Sequence, residues 1–155
     1  MQSTRKVTED IRWVGCNDRR LALFENLFPI PRGVSYNSYL IMDEKVTLMD
    51  TVDASVTHQF IENLDYTLEG RSIDYLVIQH MEPDHCANIE ELMRRYPNVE
   101  VVANQKTMQM IGQFFDISTE GRTVLVKGGD ELNTGSHTLR FLMAPMVHWP
   151  EVMVT

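Results

Sequence analysis

The segment His80-Met81-Glu82-Pro83-Asp84-His85 places four potential metal ligands within six residues. It follows the apolar run Tyr75-Leu76-Val77-Ile78, where a buried strand would end. Two imidazoles and two carboxylates suit a pair of transition-metal ions better than a single structural zinc. In an extended segment alternate side chains share a face, so His80, Glu82 and Asp84 can point the same way. Pro83 fixes its own φ and biases Glu82 toward extended geometry. His85, adjacent to Asp84, diverges and can reach a second ion. The spacing predicts a binuclear site, with one ion favouring His80 and Glu82 and the other Asp84 and His85.

A further ligand candidate is His148, in Ala144-Pro145-Met146-Val147-His148-Trp149-Pro150, where flanking prolines would stiffen the loop. It can meet the cluster only through the fold. The competing reading is a metal-free, hydrogen-bonded polar cluster at a strand end. His58 and His137 read as surface residues. Cys86 reads as a small buried residue at a helix start, because free cysteine commonly behaves as a small hydrophobe.

Residues 73–79 are largely apolar, as expected for a strand buried on both faces. Before them, residues 11–15 read as a short strand. Residues 35–42 and 46–50 read as a hairpin turning at Asp43-Glu44, and residues 55–68 as a helix stopped by Gly70. After the cluster come a helix over 88–96, ended by Pro97, a strand over 99–103 and a helix over 105–115. Strands over 123–127 and 137–144 follow, separated by a turn at Gly128-Gly129-Asp130. The helix at residue 88 would bring its positive end near the carboxylates. The order is that of an α/β layered architecture with a mixed sheet. The final run, 151–155, resembles a strand in mid-course, so more of the protein is expected after Thr155 or in a companion chain.

With 155 residues, 43% apolar and 23% charged, the chain is long enough for one domain with a sizeable core. Net charge is −8, which argues against nucleic acid as a partner and suits a soluble cytoplasmic protein. No apolar run is long enough to span a membrane, and with no apolar segment following Met1 to Lys6 a secretory signal is not expected. Two cysteines, Cys16 and Cys86, make no disulfide framework and point to a reducing compartment. The ten methionines read as core filler.

The pattern His-x-Glu-x-Asp-His after a strand resembles the metallo-β-lactamase superfamily, whose zinc hydrolases carry histidine where Glu82 stands. Together with Trp13-Val14-Gly15, Tyr36-Asn37-Ser38-Tyr39-Leu40-Ile41, Asp50-Thr51-Val52-Asp53 and the His148 segment through Glu151, it is similar to the flavodiiron proteins. That resemblance implies about the first half of a metallo-β-lactamase-like αββα layered sandwich, an N-terminal portion spanning residues 1–155. It implies a non-haem diiron centre, with His80, Glu82 and His148 holding one iron and Asp84 and His85 the other. Oxygen donation by Glu82 favours iron over zinc. The family reduces dioxygen to water or nitric oxide to nitrous oxide. It takes electrons through FMN in a C-terminal flavodoxin-like domain, usually from rubredoxin, in a head-to-tail dimer. That domain, a bridging aspartate and one more histidine are expected outside this chain. Two other readings stand beside this one: a zinc-dependent hydrolase of the same superfamily, and an inactive metal-binding fragment.

Overall fold

Segments rich in β-formers joined by short turns pair antiparallel. Strands separated by helices must pair in parallel, because only a long crossover returns the chain in the same direction. Both regimes meet in one sheet. The computed structural model of the chain describes residues 2–155. Its main sheet has seven strands in the order Arg5–Lys6, Ile11–Trp13, Tyr39–Met42, Val46–Met49, Tyr75–Val77, Glu100–Ala103 and Thr123–Leu125. The first four are antiparallel to one another, and the last three extend the sheet in parallel from Val46–Met49.

Side chains alternate between the two faces of this sheet. Leu40, Leu48, Leu76 and Val101 face one core. There they meet Phe60 and Leu64 of helix Thr57–Leu68, Ile89 and Leu92 of helix Ile89–Arg95, and Ile111 of helix Gln105–Phe114. Ile41, Val77 and Val102 face the opposite way and pack against Leu139, Phe141 and Met153. Burial on both faces explains why residues 76–78 are apolar without interruption.

The helices have identifiable ends. Asn104 caps Gln105–Phe114, its side chain accepting from the amides of Lys106 and Thr107. Helix Thr57–Leu68 stops at Glu69, which takes the left-handed conformation one residue before Gly70. No helix among the described residues is long and apolar enough to cross a membrane.

The structure divides two segments that the sequence suggests are continuous. Residues 35–42 split into Val34–Tyr36, which pairs with Cys16–Asp18, and Tyr39–Met42 in the main sheet. The break lets the Ser38 hydroxyl donate to the Asp50 carbonyl at 2.9 Å. It also brings the Tyr36 carbonyl so close to Gly15 that a Cβ there would lie 2.1 Å from it. Residues 137–144 split into Thr138–Arg140, paired with Glu131–Asn133, and Leu142–Met143, paired with Met153–Val154. Between the two halves, Phe141 turns fully into the core. A hairpin of Leu23–Phe24 and Phe28–Pro29 is a further element, with Glu25 and Asn26 at positive φ in its loop.

Candidate metal centre

Strand Tyr75–Val77 runs out of its hydrogen-bonded ladder just before the ligand cluster, so the next backbone amides need other partners. Two carboxylates supply them. The Gln79 amide donates to Asp50 Oδ1 at 2.7 Å, and the Met81 amide donates to Glu151 Oε1 at 2.9 Å. His80 lies between these two anchor points.

The extended geometry expected across residues 80–84 ends at Glu82. Pro83 opens the short helix Pro83–Cys86, with Glu82 as its extended N-cap residue. The His85 and Cys86 amides donate to the Glu82 carbonyl at 2.8 and 3.1 Å. Proline fits the first helical position because its missing N–H and fixed φ suit it. Asp84 and His85 are therefore presented by a helical turn rather than by strand alternation. The positive helix end expected from residue 88 lies within the cluster itself, with Asp84 in the first turn. Thr51 locks this turn, its amide and hydroxyl both donating to the His85 carbonyl at 2.8 Å.

His80, Glu82 and His148 converge, each offering one ligand atom within 4.8 Å of the others. Glu82 Oε2 lies 3.1 Å from His80 Nε2 and 3.0 Å from His148 Nε2. His80 and Glu82 are buried, whereas the His148 side chain is 68% exposed. Asp84 and His85 form a second pair beside this group, with His85 Nε2 3.9 Å from Asp84 Oδ2. The His85 ring centroid is 5.2 Å from that of His80. All five sequence-derived candidates thus occupy one region. A cavity of about 640 Å³ opens onto it, lined by Glu82, Asp84, Glu25, Arg20, Phe24 and Tyr36 among others.

Asp50, Glu151 and Glu25 are site residues that sequence reasoning did not single out. Asp50 Oδ2 meets His85 Nδ1 at 2.9 Å, and Glu151 Oε1 meets His80 Nδ1 at 2.8 Å. Asp50 and Glu151 both stand in family-like motifs, but only the fold pairs them with histidines. Glu25 is brought in by the Leu23–Pro29 hairpin, and its hydrogen bond with Glu82 raises its carboxyl above the usual range. Burial pushes Asp84 up, and Glu82 adds to this, against the opposing charge of His85. For His85, burial favours the neutral ring. The Asp50 hydrogen bond and the charges of Asp50, Asp84 and Glu82 together outweigh burial and raise it.

The donor set fits metal ions. Asp84 Oδ1 is buried without a hydrogen-bond partner among the described residues, and burial makes this carboxyl favour a proton that a cation can replace. Cys86 is no competing ligand. It is buried, donates to the Met81 carbonyl at 3.2 Å, and is pushed by burial up to about 12. His58 is exposed, as expected. His137 differs from the surface reading: it is half-buried between Asp43 and Asp10, at 2.9 and 3.1 Å.

A layered mixed sheet carrying a His-x-Glu-x-Asp-His turn at a strand end defines a metallo-β-lactamase-like domain. The chain belongs to the family described as ODP family beta lactamase, whose profile matches residues 34–155. It is 37% identical to an anaerobic nitric oxide reductase flavorubredoxin from Aliivibrio salmonicida, over 98% of this chain and 31% of the relative. A flavorubredoxin of the same description from Pectobacterium atrosepticum is 38% identical, over 98% of this chain and 30% of its own length. The chain thus spans about a third of the length of these curated relatives. Among solved structures, the rubredoxin oxygen:oxidoreductase of Desulfovibrio gigas superposes with a TM-score of 0.89 at 30% identity, covering 98% of this chain and 38% of that one. The flavodiiron protein of Giardia intestinalis shares the fold, with a TM-score of 0.91 at 24% identity over 99% of this chain and 37% of its own.

Proposed function

We propose that this chain is the N-terminal portion of the diiron domain of a flavodiiron oxidoreductase. The parent protein reduces dioxygen to water, nitric oxide to nitrous oxide, or both. The observation that carries this reading is the convergence of His80, Glu82 and His148, with a carboxylate at the position where zinc hydrolases place histidine. Relatives described as nitric oxide reductase flavorubredoxin and as rubredoxin oxygen:oxidoreductase support the same chemistry.

In this reading His80, Glu82 and His148 hold one iron, and Asp84 and His85 hold the other. Two ferrous ions, when bound, supply electrons and a binding point for a diatomic gas. The chain's own residues build the surroundings. Glu82 and Asp84 would offset the cationic charge from the wall of the cavity, and Asp50 would hold the ring of His85. Glu25 lies beside Glu82 and lines the same cavity. The hairpin that carries Glu25 forms part of the cavity wall.

The flavodoxin-like domain with its FMN, and the remaining iron ligands, belong to other parts of the parent protein. Rubredoxin or a similar donor supplies electrons. A head-to-tail dimer brings the flavin of one subunit to the iron centre of the other, and the protein works in the cytoplasm. The test is gas consumption by the holoprotein, reduced anaerobically and then supplied with oxygen or with nitric oxide. Uptake of oxygen or nitric oxide is expected. Failure to consume either gas, or ester or lactam hydrolysis by the zinc-loaded protein, would overturn the proposal.

A further inference from the structure

Glu151 is almost completely buried, at 2% exposure, although its neighbours Met146, Val147, His148 and Pro150 are exposed. Its Oε1 lies 2.8 Å from His80 Nδ1 and accepts from the Met81 amide at 2.9 Å. Its Oε2 is buried with no hydrogen-bond partner among the described residues. The backbone holds the side chain in place. The Glu151 carbonyl accepts from Asn104 Nδ2 at 2.7 Å, and the Met153 amide donates to the Gln79 carbonyl at 2.9 Å. Withdrawing the carboxylate to solvent would break this latch.

A buried carboxylate with unused acceptor capacity carries an uncompensated desolvation cost unless positive charge lies close by. Here the group between it and the convergence of Glu82 and His148 is the His80 imidazole. Each ring nitrogen of His80 faces a carboxylate, and a carboxylate only accepts; with Nε2 as the metal donor beside Glu82, the ring proton sits on Nδ1 and is donated to Glu151. Asp50 stands in the same relation to His85, with its other oxygen on the Gln79 amide. The two carboxylates bracket the strand end, each meeting one backbone amide and one Nδ1, Asp50 through both of its oxygens and Glu151 through one.

We infer that Glu151 is a positioning residue for the metal ligand His80. It fixes the tautomer, aims Nε2 at the metal and raises the donor strength of the imidazole. This rests on the reading of His80, Glu82 and His148 as metal ligands. A single loop therefore delivers one ligand, His148, and the group that orients another. Loss of order in that loop weakens both at once.

The experiment compares Glu151→Gln with the wild-type holoprotein. Glutamine keeps the shape and can keep both acceptor contacts, but it removes the charge. The expected result is an unchanged fold, metal affinity lower by roughly 10- to 100-fold, and a higher reduction potential of the iron centre. In a His80→Ala background, Glu151→Gln should cause no further loss of affinity. Wild-type affinity and potential in a folded Glu151→Gln protein would overturn the inference. Should that variant fail to fold, nitrogen NMR of histidine-labelled, zinc-loaded wild type decides. Metal on His80 Nε2 with a proton on Nδ1 supports the inference, and the reverse tautomer overturns it. The function proposed above fails separately, if the wild-type protein carries zinc instead of iron. The affinity loss in Glu151→Gln, measured with zinc, would still hold.

Discussion

Asn104 joins two structural tasks that a substitution can separate. It is 8% exposed. Its Oδ1 accepts from the Lys106 and Thr107 amides, both at 3.0 Å, and its Nδ2 donates to the Glu151 carbonyl at 2.7 Å. Replacing it with alanine removes a helix cap, at a cost of about 1 kcal/mol. It also strands a buried carbonyl, at a further cost of about 1–3 kcal/mol. Asn104→Ala should therefore lose about 2–4 kcal/mol in total, and Asn104→Ser, which keeps the cap but cannot reach Glu151, about 1–3 kcal/mol. Urea unfolding at constant m-value measures both losses. Metal release from the holoprotein should speed up in both variants, because the freed carbonyl belongs to the loop that carries His148 and Glu151. An alanine variant within about 0.5 kcal/mol of wild type would refute the capping argument, that figure being the low end of measured cap losses. A serine variant with wild-type metal release would refute the latch.

Other consequences are equally checkable. Asp43 is held well below the usual carboxylate range. The Ser136 amide contributes most, with the His137 ring and the Glu44 and His137 amides adding to it against the effect of burial. Its folded pKa is depressed, so its stabilisation is complete above about pH 4, the unfolded carboxylate value, and is lost as pH falls below that. Asp43→Asn should be less stable at pH 7 and lose less stability on acidification; an unchanged pH slope would contradict this. Burial pushes the Cys16 and Cys86 thiols up to about 11 and about 12. Native protein at pH 8 should resist iodoacetamide at both and react at both once unfolded, whereas rapid native labelling would contradict the buried assignment. Phe60 is fully buried between its helix and the sheet, so Phe60→Ala should cost about 3–5 kcal/mol by thermal or urea unfolding. A loss below about 1 kcal/mol would mean that this core face is loosely packed.

Much of this architecture was legible in the residues. The continuous apolar run at 75–78 reported a doubly buried strand, and the helical spacing of Val56, Phe60, Ile61 and Leu64 reported helix Thr57–Leu68. The ligand types were legible because two histidines and two carboxylates fall within six residues at the end of that strand. Their geometry was not. Pro83 is compatible both with an extended predecessor and with the first position of a helix, and the structure uses both properties at once. Asp50 and Glu151 escaped notice as histidine partners because their contacts span 35 and 71 residues, a separation that no local pattern reports. The break at residues 37–38 depends on Ser38 reaching the Asp50 carbonyl and on the close approach of Tyr36 to Gly15. The Leu23–Pro29 hairpin was equally hidden, since its loop puts Glu25 and Asn26, rather than glycine, at positive φ. His137 read as a surface residue because its two carboxylate partners, Asp10 and Asp43, come from the other end of the chain.

In the proposed function, Glu82 is what makes this an iron site. Metal content and Mössbauer spectra of the anaerobically purified holoprotein, wild type beside Glu82→His, test that claim most directly. A diiron centre is expected in the wild type, with a shift toward zinc in the variant as nitrogen replaces the oxygen donor. Zinc in the wild type, or an unaltered iron content in the variant, would contradict it.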